Sequence, residues 1–142
     1  MAKHTITHKC GHAVVHNITG PMKNRPWQVE RLKGQVCREC YIAGINEAAA
    51  VAAAEQGLPR LTGSEKQVAW ATTIRDELLG RCEGWIKKTI EMAEGKATDE
   101  DLARFREETG KALETLKSKT SASWWIDHRG DSSVDLINGV LQ

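Results

Sequence analysis

Hydrophobic and polar positions change period along this chain, and the change divides it in two. Residues 3–8 alternate, with His4, Ile6 and His8 set against Thr5 and Thr7. Strict alternation marks a strand with one covered face. Ala13 to Ile18 is rich in apolar and β-branched residues and predicts a second short strand. Thr19-Gly20-Pro21 reads as a turn. A third apolar-bearing piece, Trp27 to Leu32, offers Trp27, Val29 and Leu32 to pack on the two strands, and Gly34 leads out of it.

Beyond residue 42 the period becomes helical. An alanine-rich run follows Tyr41 and ends at Gly57 and Pro59. Alanine is the best helix former and Gly then Pro is a stop signal, so a helical connector is expected over 43–60. Ser64 with Gln67 three residues later is a capping-box pattern. Val68, Ala71, Ile74, Leu78, Cys82, Trp85, Ile86, Thr89 and Ala93 then recur at three- and four-residue steps. Unbroken from Ser64 to Gly95, that helix would be about 45 Å long. Gly80 and Gly84 each cost about 1 kcal/mol inside a helix, which leaves open whether the helix kinks or breaks near Gly80. Cys82, on the apolar stripe, reads as a small buried hydrophobe. Thr98-Asp99-Glu100-Asp101 starts another helix, with acids where the helix dipole is positive, and Leu102, Phe105, Thr109, Ala112, Leu113 and Leu116 carry its apolar face to about Lys119. The two helices should pair antiparallel. Adjacent Trp124 and Trp125 must point to different faces, one to the core and one outward. Val134, Ile137 and Leu141 are spaced for a short terminal helix. The fold class is therefore α+β: a small ribbon module over 1–42, the connector over 43–60, and an α-helical domain over 61–142.

Charge sharpens this division. The whole chain is near neutral, with 20 Lys and Arg against 19 Asp and Glu. Residues 1–40 hold seven bases (Lys3, Lys9, Lys23, Arg25, Arg31, Lys33, Arg38) against Glu30 and Glu39, a formal +5. The remainder is mildly acidic. No apolar run is long enough to span a membrane and no leader pattern precedes the first strand. A cytoplasmic protein with reduced thiols is the expectation.

Reduced thiols in the basic module suggest metal. Cys10-Gly11-His12 lies between the expected strands and Cys37-Arg38-Glu39-Cys40 follows the third piece. Thiolate and imidazole are zinc's preferred ligands, a structural site takes four, and Cys-x-x-Cys lets one turn present two sulfurs to one ion. Gly11 suits the first turn because it tolerates positive φ. The predicted ligands are Cys10, His12, Cys37 and Cys40 around Zn2+. His8 is the alternative fourth ligand, with His4 and His16 behind it. A redox pair would be expected beside a βαβ pattern, which is not visible. A Cys37–Cys40 disulfide would close a very small ring and leave Cys10 odd. A module of this size cannot bury enough core alone, so metal should supply much of its folding free energy.

The remaining patterns point to binding and not to catalysis. No nucleophile elbow, phosphate-cradling glycine loop or spaced acid pair is present, and Ser64 after Gly63 is explained as a cap. Trp27 between Arg25 and Arg31 suits phosphate contact with base stacking. Lys66, Gln67, Trp70 and Arg75 could form a second polar surface. These features predict a non-enzymatic zinc protein that binds nucleic acid or a nucleic-acid-processing complex. The alternative is an inhibitor or adaptor of a host protein complex, such as an antagonist of host defence. That reading uses the acidic helical part and Trp124 and Trp125, since tryptophan is enriched among interface hot spots.

Several stretches together resemble a group of mostly uncharacterised bacterial and phage or plasmid proteins with an N-terminal zinc-ribbon-like segment and a helical C-terminal part. The residues that carry the likeness are Cys10-Gly11-His12, Cys37-x-x-Cys40-Tyr41, Leu58-Pro59-x-Leu61-x-Gly63-Ser64-x-Lys66-Gln67-x-x-Trp70-Ala71 with Ile74-Arg75, and Ala122-x-Trp124-Trp125-Ile126-Asp127-x-Arg129. Relatives often carry a further cysteine two residues before the Cys-Gly-His, where this chain has His8. The resemblance implies a mobile-element setting and brings no established activity.

Overall fold

A computed structural model describes residues 2–141. The chain divides into two compact units, Met1–Ile45 and Asn46–Gln142.

The first unit is built on the predicted ribbon. Strands β1 (Ala2–Thr7) and β2 (Ala13–Ile18) pair antiparallel, with Ile6 opposite Val14 and His4 opposite His16. Alternation does what it should: Ile6 and Ile18 are buried while Lys3, Thr5 and Thr7 face out. The third apolar-bearing piece is a helix, α1 (Arg25–Lys33), entered through a 3-10 turn at Met22–Asn24. Pro26 in its first turn is pre-set for helical φ and lacks only an N–H that would have no partner there. Helix α1 lies against both strands. Val29 and Leu32, three residues apart, share its inner side and are half-buried. Trp27 was expected to join them, but two residues from Val29 it falls on the opposite side and stays 65% exposed.

Helix α2 spans Arg38–Glu55. It begins inside the Cys37-to-Cys40 stretch, earlier than the alanine run alone suggests. The division between the units falls within it.

The second unit rests on α3 (Glu65–Ala93). The capping box forms in full: Gln67 N–H donates to Ser64 Oγ at 3.2 Å and Ser64 N–H to Gln67 Oε1 at 3.1 Å. The open question at Gly80 is settled by a continuous helix, which runs through Gly80 and Gly84. Both glycines face open space, and the buried Leu78, Leu79 and Cys82 beside them gain more by packing than glycine loses in propensity. Helix α4 (Asp99–Lys117), capped by the Thr98 hydroxyl, returns alongside α3, with Trp85 meeting Phe105 at 5.9 Å between ring centroids. Short helices α5 (Ala122–Asp127) and α6 (Ser133–Leu141) close the core, which gathers Leu61, Leu78, Leu116, Trp125 and Ile137 among others. Trp125 is fully buried, and its indole N–H donates to the Lys119 carbonyl at 3.0 Å. A two-residue clasp ties the lead-in of α3 to the start of α5: Thr62 N–H donates to Thr120 O (2.7 Å) and Ala122 N–H to Thr62 O (2.9 Å). Gly63 makes this possible. Its φ is +149°, and a Cβ there would stand 3.1 Å from that of Ala122. Among the described residues, no helix is long and apolar enough to cross a membrane.

Candidate metal centre

The turn between β1 and β2 carries two of the four predicted ligands. Gly11 N–H donates to His8 O (2.8 Å) and His8 N–H to His12 O (2.9 Å), which tightens the turn, and Gly11 takes φ +87°. Cys10 and His12 thereby project together. The other two come from a helix start, not from a turn between strands. Cys37 immediately precedes α2, its carbonyl accepting from Tyr41 N–H at 2.9 Å, and Cys40 lies in the first turn. Residues three apart share one helix side, so the Cys-x-x-Cys spacing serves here as a helical spacing.

Cys10, His12, Cys37 and Cys40 bring their ligand atoms within 4.8 Å of one another. His12 Nδ1 stands 3.3 Å from Cys40 Sγ and 3.7 Å from Cys37 Sγ. Tetrahedral zinc bonds of the usual length imply ligand-to-ligand edges of about 3.5–3.8 Å, so the donor set fits a Cys3His ion site. Four protein donors fill a tetrahedron, which is the closed form of a structural centre. Cys37 is buried, Cys10 and Cys40 half-buried, and His12 exposed. All four cysteines of the chain are free thiols.

The thiols differ electrostatically. The backbone N–H of Cys37, 3.3 Å from Cys10 Sγ, and that of His12 hold the Cys10 thiol down to about 6. Cys40 is pushed up to about 11, first by its contact with the Cys37 side chain and then by desolvation. Opposite shifts on neighbouring thiols mean that negative charge is stabilised at one sulfur and resisted at the next. A bound divalent cation removes that conflict and lets every sulfur ionise.

His8 is not a ligand. It is buried, its Nδ1 lies 3.1 Å from Gln35 O, and its Nε2 lies 2.7 Å from His16 Nε2. A carbonyl only accepts, so His8 Nδ1 carries a hydrogen, and its Nε2 shares a second hydrogen bond with His16 Nε2. His4 sits opposite His16 on the ribbon. His4 and His16 thus face each other across the ribbon, with His8 just beyond the end of β1 reaching His16.

The predicted binding residues scatter. Arg31 lies over the exposed Trp27 ring, 5.7 Å from its centroid, while Arg25 donates to Gly20 O at 3.3 Å and steadies the turn before α1. In the second unit Lys66 is exposed and Gln67 is engaged in the capping box. Trp70 is half-exposed with Arg129 over it at 5.4 Å. Two predictions need correction. Arg75 is buried, because it falls on the same helix side as Ala71, Leu78 and Cys82. Trp125 is buried with Ala122, three residues earlier. Trp124 is the outer tryptophan, half-buried and stacked on His128 at 4.1 Å.

A cavity of about 640 Å³ in the first unit, lined by sequence neighbours of the candidate ligands, was not foreseen. Lys9, His16, Leu32, Val36, Arg38 and Tyr41 contribute to its lining. The available signal was adjacency: Lys9 precedes Cys10 and Arg38 follows Cys37. Cys82 belongs to the core of the second unit, where burial pushes its thiol up.

Compared with known proteins, the chain matches no family model, no curated protein and no solved structure.

Proposed function

We propose that the Cys3His centre holds zinc in a structural role and that the unit around it binds single-stranded nucleic acid without catalysing a reaction. The carrying observation is the exposed Trp27 ring with the Arg31 guanidinium over it, set in a segment with seven bases against two acids. An open aromatic face accepts any base, and neighbouring cations meet the phosphates. Lys9, Arg38 and Tyr41 around the cavity repeat the same chemistry. The centre's part is to hold the ribbon turn and the start of α2 together so that these side chains keep their places.

The test is fluorescence anisotropy of a labelled single-stranded oligonucleotide with the metal-loaded protein over a salt series. Expected are affinity that falls linearly with salt on logarithmic axes and a loss of about 1–3 kcal/mol in Trp27→Ala. Absence of binding at low salt would refute the reading.

The alternative, an inhibitor or adaptor seated on a host protein complex, draws support from Trp70 with Arg129 over it on the surface of the second unit. It also agrees with the mobile-element setting that the sequence resemblance implies. A tagged protein purified from its host then keeps a stoichiometric protein partner after nuclease treatment. The nucleic-acid reading requires that nuclease strip the partner away.

A further inference from the structure

Arg75 is 2% exposed on the core side of α3. Its Nη1–H donates to the Pro59 carbonyl at 2.7 Å, and its Nε–H is buried without an acceptor. Among the described residues no Asp or Glu forms an ion pair with it. A guanidinium carries a full charge and five N–H donors. Burying that charge against one neutral carbonyl is costly, and the usual remedy is an anion.

The space for an anion is present. Arg75 borders a cavity of about 280 Å³ formed between the later part of α2, the connector after it and the first turns of α3. Its walls are apolar, with Ala53, Leu58, Leu61 and Val68 among them. Among the described residues, the other charged side chain on its lining is Arg60, and no acid lines it. The Thr72 hydroxyl there is already spent on Val68 O, at 2.7 Å.

We propose that this cavity binds a small organic carboxylate, its charged end paired with Arg75 and Arg60 and its apolar body laid against the alanine and leucine walls. A phosphate offers oxygens on every side, and apolar walls would leave several of them without donors. A carboxylate concentrates its charge and its acceptors at one end, which matches a guanidinium at one side of an apolar space. At about 30 Å³ for each water-sized volume, the cavity holds about nine non-hydrogen atoms, the size of a short-chain acid. All lining residues lie in the second unit, so the site stands independently of the metal centre and of the nucleic-acid reading.

The probe is hexanoate, titrated into the full-length protein at constant ionic strength and followed by amide chemical shifts. Hexanol and inorganic phosphate serve as controls. Saturable shifts are expected at Ala53, Leu61 and Thr72 with hexanoate alone. Arg60→Gln, at the exposed rim, should weaken binding about tenfold, the loss of roughly one charge-assisted contact. Ala50→Leu should block it by filling the mouth. Arg75→Met should abolish it. Because Met fits a buried position without a charge, this variant should keep the native spectrum. Hexanoate that causes no saturable shift overturns the proposal. So does phosphate binding in its place, or hexanoate affinity unchanged in both Arg60→Gln and Ala50→Leu.

Discussion

The two units differ in how much apolar core they bury. In the first, the buried apolar side chains among the described residues are Ile6, Ile18 and Cys37, and one of these is a candidate metal ligand. The second gathers leucines, isoleucines and Trp125 from four helices and a connector around α3. Side chains can hold a fold where enough of them meet, and in a segment of about 45 residues too few do. On the proposed reading, an ion at the Cys3His site takes the place of a core in the first unit, and its binding free energy becomes folding free energy. The same difference explains the charges. A unit that does not rely on burying apolar surface can give its surface to Lys and Arg.

The strongest way to break this comparison is to remove a ligand. Cys37→Ser is expected to lose the ion and unfold the first unit, since structural zinc contributes about 10–16 kcal/mol at neutral pH. Metal analysis together with amide spectra checks it. The α3 to α6 signals should persist, and a variant that keeps one ion and the native ribbon spectrum would defeat the idea.

The reciprocal change is Trp125→Ala. Emptying that space should cost about 3–5 kcal/mol and lower the melting of the helical unit while the ion stays bound. Release of the ion in this variant would show that the two modes of stabilisation are not separate.

Acid should separate the units more gently. At pH 7 metal binding must displace the proton that Cys40, raised to about 11, still holds, whereas Cys10, lowered to about 6, is already ionised. Raising pH therefore favours the metal-bound form and lowering it favours the metal-free form. Between about pH 6 and 9, affinity should rise roughly tenfold per pH unit for each proton released. Below about 6 the slope should steepen as Cys10 also takes up a proton. Competition titrations with a metallochromic chelator measure that slope, and a flat profile would contradict it.

The smallest effect expected is a gain. Gly80→Ala places a methyl in open space on α3 and should stabilise the helical unit by about 0.5–1 kcal/mol, leaving metal affinity unchanged. Paired thermal melts with and without chelator would read both.

Features set by neighbours in sequence could be read in advance. The candidate ligands belong to this class, because thiol and imidazole at these short spacings are the donor types and geometry that zinc takes. So do the strands, the Ser64 cap and the helix starting at Asp99. Features set by distant contacts were harder. The start of α2 at Arg38 follows directly on Cys37, whose backbone N–H meets the Cys10 sulfur from 27 residues earlier. The choice of His12 over His8 turns on Gln35 and His16 claiming both nitrogens of His8. Trp125 and not Trp124 goes inward because Ala122 shares its helix side. Arg75 was readable in principle: positions 71, 75, 78 and 82 form one stripe on α3, and its charge alone argued for the surface.

The clasp between Thr62 and Ala122 bears on the order in which the second unit assembles. Helices α3 and α4 are joined by a short turn and can zip together through local contacts. The clasp brings together segments that flank both helices, so its chain-closure entropy is among the largest the unit must meet. Hairpin first and clasp last is the sequence of events this topology favours. Gly63→Ala, which crowds Ala122, should then speed unfolding in stopped-flow experiments and leave the refolding rate nearly unchanged. A latch that forms late is also the first to open, so the burial of Trp125 should fluctuate more than its complete enclosure in the folded state suggests.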